Sequence, residues 1–363
     1  MRRAGCGRGG VPALAGCRRR RGNEGLLSRS ATPADSAAWL ARAALPLLLR
    51  LPPELSHSLG LRGIELLARA WRVPPVSPHG AVQAFGVRFT HPIGLAAGFD
   101  KNGDHLDALG ALGFSHIEIG TVTPRPQPGN ARPRLFRLRD SQALVNRMGF
   151  NNRGADYVAT RVAAATYRGI RGISIGKNAD TPLERAVDDY LACLRRLYAV
   201  ADYFAVNVSS PNTAGLRKLQ ASDALGGIIE PLQQERERLA ATHGKRVPLL
   251  VKISPDLDDA QLRAMATAIR SHALDGVIAT NTTTQGNPGG GLSGAPLRDR
   301  ALACLRQLRQ ELGAGIPLIG VGGLMSAEDV RARLEAGARL VQLYTGFVYR
   351  GPPLLNECLQ GLH

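Results

Sequence analysis

The chain has 363 residues, of which 44% are hydrophobic, and its length allows one large domain of about 250–300 residues plus a smaller one. The net charge is +17, yet we find no zinc-ligand spacing, no RNA-stacking aromatic motif and no long basic helix, so nucleic acid is not an expected partner. The five cysteines are scattered and none forms a CxxC pair, which argues against a metal or Fe–S centre and favours a reducing compartment.

Residues 1–34 form a basic extension rich in Arg, Gly and Ser. The first 30 residues carry eight arginines and one acid, Glu24. Three interpretations are open: a disordered tail, a targeting segment of the mitochondrial type, and an over-long start of the chain. We favour the disordered tail of a bacterial protein over the mitochondrial presequence.

Residues 35–75 are predicted to contain two short amphipathic helices on either side of Pro52-Pro53. Apolar residues recur at helical spacing in both halves, and arginines flank them. No uncharged apolar run reaches the roughly 20 residues that a membrane-spanning helix needs. Tryptophan-containing helices edged with arginine are typical of a membrane interface, whereas simple packing on the main domain is the alternative.

Residues 76–363 are predicted to be a catalytic domain in which eight strands alternate with helices. The alternation follows a short hairpin at Val82–Phe89 and predicts a closed (β/α)8 barrel, the TIM barrel. An open doubly wound sheet would show a GxGxxG turn after the first strand, which is absent there. The predicted strands are Ile93–Ala97, His116–Gly120, Ile170–Gly176, Tyr203–Val208, Leu249–Ile253, Gly276–Thr280, Pro317–Val321 and Leu340–Tyr344. The predicted helices lie near 102–112, 151–168, 181–200, 222–243, 258–271, 297–313, 326–336 and 353–362.

A long segment, 122–150, follows the second predicted strand. It contains Arg134–Leu138 and Ala143–Asn146, which predict a two-stranded insert. Because barrel active sites are built from the loops that follow the strands, we expect this insert on the catalytic face.

Most predicted strands end in polar residues or glycine, and in a barrel these ends share one edge. After the fourth strand, Pro211 fixes a turn that presents Ser210 and Asn212, and taken alone this stretch fits a simple Ser/Asn/Pro turn equally well. Asparagines recur at such ends and supply both donors and acceptors, which suits a planar ligand with alternating C=O and N–H groups. These asparagines are Asn146, Asn178, Asn207 and Asn281.

Two further features indicate an anionic ligand. Gly322 and Gly323 follow the seventh strand, near a helix that Ser326 is predicted to cap, and barrels commonly bind phosphate there; tight turns without a ligand are the alternative. Lys252 lies inside an apolar strand, so its charge requires an anionic ligand, such as a reduced flavin or a carboxylate, or an acidic neighbour. Lys101 is adjacent to Asp100, and an internal pair is an alternative there too.

From about residue 52 to the C-terminus, the chain closely resembles the dihydroorotate dehydrogenases of class 2, which are membrane-associated and quinone-dependent. The motifs that carry the resemblance are GLAAGFDKNG (94–103), NRMGFNN (146–152), GISIGKN (172–178), NVSSPNT (207–213), VKISPD (251–256), ATNTT (279–283), GGLSG (290–294), IGVGG (319–323) and LVQLYTGF (340–347).

The resemblance implies oxidation of (S)-dihydroorotate to orotate, the fourth step of de novo pyrimidine (UMP) biosynthesis. FMN takes the hydride in such enzymes and passes the electrons to a membrane quinone, ubiquinone or menaquinone. The resemblance also implies that Ser210 is the catalytic base that removes the C5 proton. Class 1 relatives carry Cys in this position, so the serine indicates class 2. A serine hydroxyl is a weak base, so neighbours or a water chain must relay its proton.

The resemblance further implies three groups of binding residues. Substrate carboxylate and ring amides would contact Lys101, Asn146, Arg147, Met148, Gly149, Phe150, Asn207, Asn212, Asn281 and Thr282. FMN would contact Ala97, Gly98, Phe99, Asp100, Lys101, Thr121, Asn178, Asn207, Lys252, Thr280, Gly294, Gly322, Gly323, Tyr344 and Thr345. Lys252 would stabilise negative charge on the reduced ring. The quinone would meet His57, Arg137 and Tyr344 at the end of a tunnel formed by the two N-terminal helices.

Departures from the family pattern shape the remaining expectations. The loop from Thr283 to Gly290 is shorter than in many relatives, which leaves open how it covers the flavin. Because no transmembrane anchor precedes the helices, we expect a peripheral enzyme on the cytoplasmic face of the bacterial inner membrane, with the mitochondrial inner membrane as the alternative. We also expect a monomer. A class 1 enzyme would lack the helices and carry Cys in place of Ser210, and a non-catalytic flavin- or membrane-binding protein would be expected to have lost Ser210 or Lys101.

Overall fold

The computed structural model describes residues 33–69, 80–286 and 289–362. Its strands are β1 (Val82–Ala84), β2 (Val87–Phe89), β3 (Ile93–Leu95), β4 (His116–Val122), β5 (Leu135–Leu138), β6 (Ala143–Asn146), β7 (Ile170–Ile175), β8 (Tyr203–Asn207), β9 (Leu249–Ile253), β10 (Gly276–Ala279), β11 (Gly291–Gly294), β12 (Leu318–Val321) and β13 (Leu340–Leu343). The predicted extension up to residue 32, the boundary at residue 75 and part of the loop before β11 lie outside the described residues.

Helices flank these strands in chain order. They are α1 (Pro33–Leu48), α2 (Pro53–Ala68), α3 (Leu106–Ala111), α4 (Gly154–Ala164), α5 (Ala186–Leu197), α6 (Ser222–His243), α7 (Asp259–Ser271), α8 (Arg298–Leu312), α9 (Ala327–Glu335), α10 (Thr345–Arg350) and α11 (Pro352–Gln360). The two helices expected before the barrel are therefore present. The helices expected at 151–168 and 181–200 are shorter than predicted, and α10 was not predicted.

Eight parallel strands close into a barrel in the order β3-β4-β7-β8-β9-β10-β12-β13. These strands are buried along almost their whole length, because helices cover the outside and side chains fill the inside. The predicted (β/α)8 fold is confirmed, and every predicted strand end lies within two residues of the observed one. The predicted hairpin is also confirmed, as β1 pairs with β2.

The insert after β4 is a three-stranded sheet rather than the predicted two-stranded one. β6 pairs with β5 on one side and with β11 on the other, both antiparallel. The sequence Gly291-Leu292-Ser293-Gly294 was not predicted to be a strand because glycine and serine have low strand propensity. The pairing carries Gly294 and Ser293 to the cavity at the catalytic face.

The helix expected from residue 102 begins only at Leu106, because the Asp100 carboxylate organises the preceding residues as a loop. Oδ1 accepts hydrogen bonds from three backbone N–H groups and Oδ2 accepts one more. The four donors are Asn102, Gly103, Asp104 and His105. An aspartate that satisfies successive backbone donors in this way competes with helix formation.

Arginines of the insert hold α1 and α2 against the barrel. Arg137 Nη1 donates to the carbonyl oxygens of Leu49 (2.6 Å) and Leu51 (3.2 Å), just after the end of α1. Arg134 Nε donates to Glu54 Oε1 on α2 at 2.8 Å. In the part of the chain that is described, no helix has the length and apolar character needed to cross a membrane.

Candidate active site

A cavity of about 740 Å³ extends from α1 and α2 to the carboxyl ends of the barrel strands. The helical end is mainly apolar, and its lining includes Leu45, Leu48, Leu61, Ile64 and Leu67. The barrel end is lined by amide, hydroxyl and ammonium groups. One cavity therefore combines an apolar compartment with a polar one.

All the predicted substrate, FMN and quinone residues line this cavity except Arg147 and Asn178. Arg147 is exposed, and its guanidinium lies 5.3 Å from the centre of the Phe136 ring. Asn178 is buried, and its side chain bonds the loop after β4: Nδ2 donates to Arg125 O (3.0 Å) and Gln127 Oε1 (2.8 Å). In this structure, both residues support the site from outside the cavity.

Ser210 lies just beyond β8, where the chain leaves the barrel. It is only 5% exposed and lines the polar end of the cavity. Its Oγ accepts a hydrogen bond from the backbone N–H of Asn212 at 3.2 Å. A donor in this position would stabilise negative charge on Oγ if the serine lost its proton.

The asparagines of the catalytic face bond to one another and to hydroxyl groups. Asn212 Nδ2 donates to Asn146 Oδ1 at 2.9 Å, which links the β8 loop to the insert. Asn207 Nδ2 donates to Thr121 Oγ1 at 2.8 Å, and Asn281 Nδ2 donates to Ser209 Oγ at 3.0 Å. These bonds fix the amide orientations before any ligand arrives.

Lys101 presents an ammonium group to the same end of the cavity. Its Nζ donates to Gly98 O at 2.7 Å, whereas the Asp100 carboxylate accepts from the backbone of the following loop. Burial and the nearby Arg134 charge lower the pKa of Lys101 to about 8, although Asp100 and Glu54 partly oppose them. This ammonium is a suitable partner for a carboxylate ligand.

The sequence left two partners open for Lys252, an anionic ligand or an acidic neighbour, and the structure shows an acidic neighbour. Its Nζ lies 3.2 Å from Glu118 Oε1, and Glu118 is completely buried inside the barrel. Glu118 Oε2 also accepts hydrogen bonds from Gln342 Nε2 (2.8 Å) and Tyr203 OH (3.2 Å). Glu118 was not among the predicted site residues, although an acid within the apolar strand of residues 116–120 was a usable signal.

The residues predicted for the quinone lie where the helices meet the barrel. The His57 ring on α2 packs edge-on against Phe99 with centroids 5.1 Å apart. Burial, together with the Lys101 charge, lowers the pKa of His57 to about 3, so the ring is neutral at pH 7. Tyr344 OH donates to Gly98 O at 3.2 Å, and Arg137 Nη2 donates to Ser56 Oγ at 3.2 Å.

Glycine-rich turns also line the polar compartment. Gly322 and Gly323 follow β12 with φ of 105° and 72°, a region that favours glycine. The predicted cap is confirmed, since Ser326 Oγ accepts from Asp329 N at the start of α9. The hydroxyl groups of Thr345, at the start of α10, and Ser293, in β11, also line the cavity and are 2.9 Å apart.

Fold and site together define a (β/α)8-barrel enzyme with a two-compartment cavity at the carboxyl ends of its strands. The family model for dihydroorotate dehydrogenase matches residues 80–363. A Paraburkholderia xenovorans protein named dihydroorotate dehydrogenase (quinone) is 52% identical over 327 residues, covering 87% of this chain and 96% of that protein. A Burkholderia pseudomallei protein of the same name is 51% identical, covering 89% and 97%.

A solved structure agrees with these relatives. Ligand-free DHODH from Eimeria tenella superposes with a TM-score of 0.78 at 37% identity, covering 85% of this chain and 94% of that one. The chain belongs to the dihydroorotate dehydrogenase family, in its quinone-dependent class.

Proposed function

We propose that this protein oxidises (S)-dihydroorotate to orotate in pyrimidine biosynthesis, with FMN as the bound cofactor and a membrane quinone as the final electron acceptor. The observation that carries the proposal is the position of Ser210. It lies in the polar compartment of a cavity whose other compartment is lined by two amphipathic helices. One chain can thus bring a polar substrate and an apolar electron acceptor to the same cofactor.

The polar compartment suits a flavin mononucleotide. Gln342 Oε1 is buried and has no hydrogen-bond partner among the described residues, and Lys252, which bonds Glu118 as Gln342 does, provides an ammonium group to the same cavity. A planar ring with alternating donors and acceptors would satisfy both. The phosphate arm would lie at Gly322, Gly323 and Thr345, where barrels commonly hold phosphate. FMN would supply the two-electron chemistry that links substrate oxidation to quinone reduction.

Substrate would bind between the asparagines and Lys101. The Lys101 ammonium pairs with the substrate carboxylate, while Asn146, Asn207, Asn212 and Asn281 bond the ring amides. Ser210 would remove the C5 proton as the C5=C6 double bond forms, and the C6 hydrogen would leave as a hydride, for which bound FMN would be the two-electron acceptor. The Asn212 backbone N–H, 3.2 Å from Ser210 Oγ, lowers the energy of the charge that develops on that oxygen.

The quinone would enter between α1 and α2. We assign residues 35–75, which these two helices largely make up, as the membrane-facing segment. Large apolar side chains on these helices face solvent: Leu40, Leu47, Leu55, Leu59 and Leu66 are 38–70% exposed. Such a surface favours insertion into the interface of a membrane. We therefore propose a monomeric, peripheral enzyme on the cytoplasmic face of a bacterial inner membrane, with residues 76–363 as the catalytic domain.

The direct test is an anaerobic reaction with dihydroorotate. Purified protein should be yellow, and the substrate should bleach it; a menaquinone or ubiquinone analogue should then restore the colour. Ser210→Ala should slow bleaching by about 10²–10⁴-fold, the usual effect of losing a general base. Re-oxidation by the quinone should stay near normal.

Ser209→Ala is the matched control, because the Ser209 hydroxyl bonds Asn281 and Asn207 instead of serving as base. We expect it to weaken substrate binding more than it slows bleaching at saturating substrate. A colourless protein that takes up no FMN would contradict the proposed function. Unchanged bleaching in Ser210→Ala would contradict only the role of that serine.

A further inference from the structure

Arg333 on α9 is the largest side chain that is completely buried in the described part of the molecule. A buried guanidinium is costly unless an anion balances its charge. Burial lowers the pKa of Arg333 to about 10, so the group is still charged at pH 7. This cation lies beside the active-site cavity, so an anion that balances its charge could come either from the protein or from a ligand in the cavity.

Among the described residues, no carboxylate forms an ion pair with Arg333. Asp329, the acid with the largest effect on the pKa of Arg333, is paired with another arginine: Arg298 Nε lies 2.8 Å from its Oδ1. Arg333 Nη2 instead donates to two carbonyl oxygens, those of Arg298 (2.6 Å) and Gly322 (2.8 Å). Its Nε has no partner within the described ranges. The protein thus satisfies some of its donors, and the charges of Asp329 and Asp299, which favour the cation, are opposed by those of Arg298 and Arg306.

The bond to Gly322 O connects Arg333 to the rim of the cavity. In a trans peptide the C=O and the following N–H point in opposite directions. With Arg333 on the oxygen side of the Gly322–Gly323 peptide, the Gly323 N–H points to the other side. A Cβ added at Gly323 would lie 2.2 Å from Arg298 Cα, so α8 closes one face of this residue, while Gly323 also lines the cavity.

We propose that Arg333 is a positioning residue for the phosphate group of the flavin. From behind the turn, it orients and polarises the Gly322–Gly323 peptide so that the N–H faces the phosphate, whose negative charge balances the guanidinium. The inference rests on the proposed function, because it takes the ligand at this turn to be FMN. It predicts that Arg333 determines selectivity for a phosphorylated flavin over riboflavin, which has the same ring and no phosphate.

The test compares the binding of FMN and riboflavin to full-length, deflavinated protein by flavin fluorescence. Arg333→Met should weaken FMN binding by about 10- to 100-fold, the value of a hydrogen bond to a charged group, and leave riboflavin binding near that of the parent protein. Arg333→Lys keeps the charge but offers no planar fork, so its preference for FMN should be intermediate. The lysine variant also covers the case in which the methionine variant does not fold.

Arg309→Met is the matched control. Arg309 also donates to carbonyl oxygens, those of Gly337 (2.8 Å) and Ile316 (3.2 Å), and its Nε too is buried, but unlike Gly322 neither of these two residues lines the cavity. Its replacement should lower the melting temperature without changing the ratio of FMN to riboflavin affinity. Equal losses for the two flavins in the folded Arg333 variants, or no loss, would overturn the inference. A parent protein that binds neither flavin would instead contradict the proposed function.

Discussion

The pKa of Lys101 predicts how substrate binding depends on pH. This pKa is lowered to about 8 by burial and by the Arg134 charge, so the ammonium loses its proton within an accessible range. The protonated form binds a carboxylate, and the neutral amine does not. Affinity for orotate, whose carboxylate stays ionised, should therefore be constant below about pH 7 and decline as the pH rises through about 8.

The magnitude follows from the titration of one group. At pH 9, one unit above the pKa, about one molecule in eleven would keep a protonated Lys101, so the dissociation constant of orotate should rise about tenfold over its value at pH 7 or below. The assay is an equilibrium titration with orotate between pH 6.5 and 9, followed by the absorbance of the bound flavin.

Substitutions make the assignment specific. Lys101→Arg should keep the charge across this range and give a flat profile, and Lys101→Met should bind weakly at every pH. Glu54 on α2 raises the pKa of Lys101, so Glu54→Gln should move the break in the profile to lower pH. A flat profile in the parent protein, or the same break in Lys101→Met, would refute the reasoning.

Two further predictions concern the Lys252–Glu118 pair inside the barrel and the exposed leucines of α1 and α2. Lys252→Met leaves the fully buried Glu118 without its cation, so the free energy of unfolding, measured by chemical denaturation, should fall by about 3–5 kcal/mol. Adding Glu118→Gln should recover much of that loss, because no unpaired charge then stays buried. If the losses from the two substitutions simply add, the two side chains are not paired. The double variant Leu47→Glu, Leu66→Glu should bind anionic vesicles about tenfold or more weakly in co-sedimentation, since these two side chains are 64% and 70% exposed. The control Thr242→Glu on α6 should bind as the unmodified protein does. Equal binding by the unmodified protein, the double variant and the control would show that α1 and α2 do not contact the membrane.

Local signals in the sequence were sufficient to predict the barrel. Each buried strand is a short apolar run, and eight such runs alternate with helical periodicity, so the number of β/α units determines the architecture. The hydroxyl and amide groups of Ser210, Asn207 and Asn281 were predictable for a related reason. They follow strands whose carboxyl ends must share one edge once the barrel closes.

Contacts between distant segments could not be predicted in this way. Lys252 and Glu118 are 134 positions apart, and either one alone permits several partners. The strand Gly291–Gly294 exists because β6 offers it a free edge, not because its own residues favour extended structure. Similarly, nothing local to Arg147 or Asn178 showed that these residues would bond to the protein outside the cavity.

The joining of the two cavity compartments also depends on contacts between segments that are distant in the sequence. The polar compartment depends on strand ends that the barrel brings together, whereas the apolar one needs α1 and α2, which the insert helps to hold in place. Arg137 binds the carbonyl oxygens at the end of α1, and Arg134 binds Glu54 on α2. Arg134 also lowers the pKa of Lys101. The contacts that position the helical end therefore also affect the charge that we assign to substrate binding, so the two ends of the cavity are electrostatically coupled.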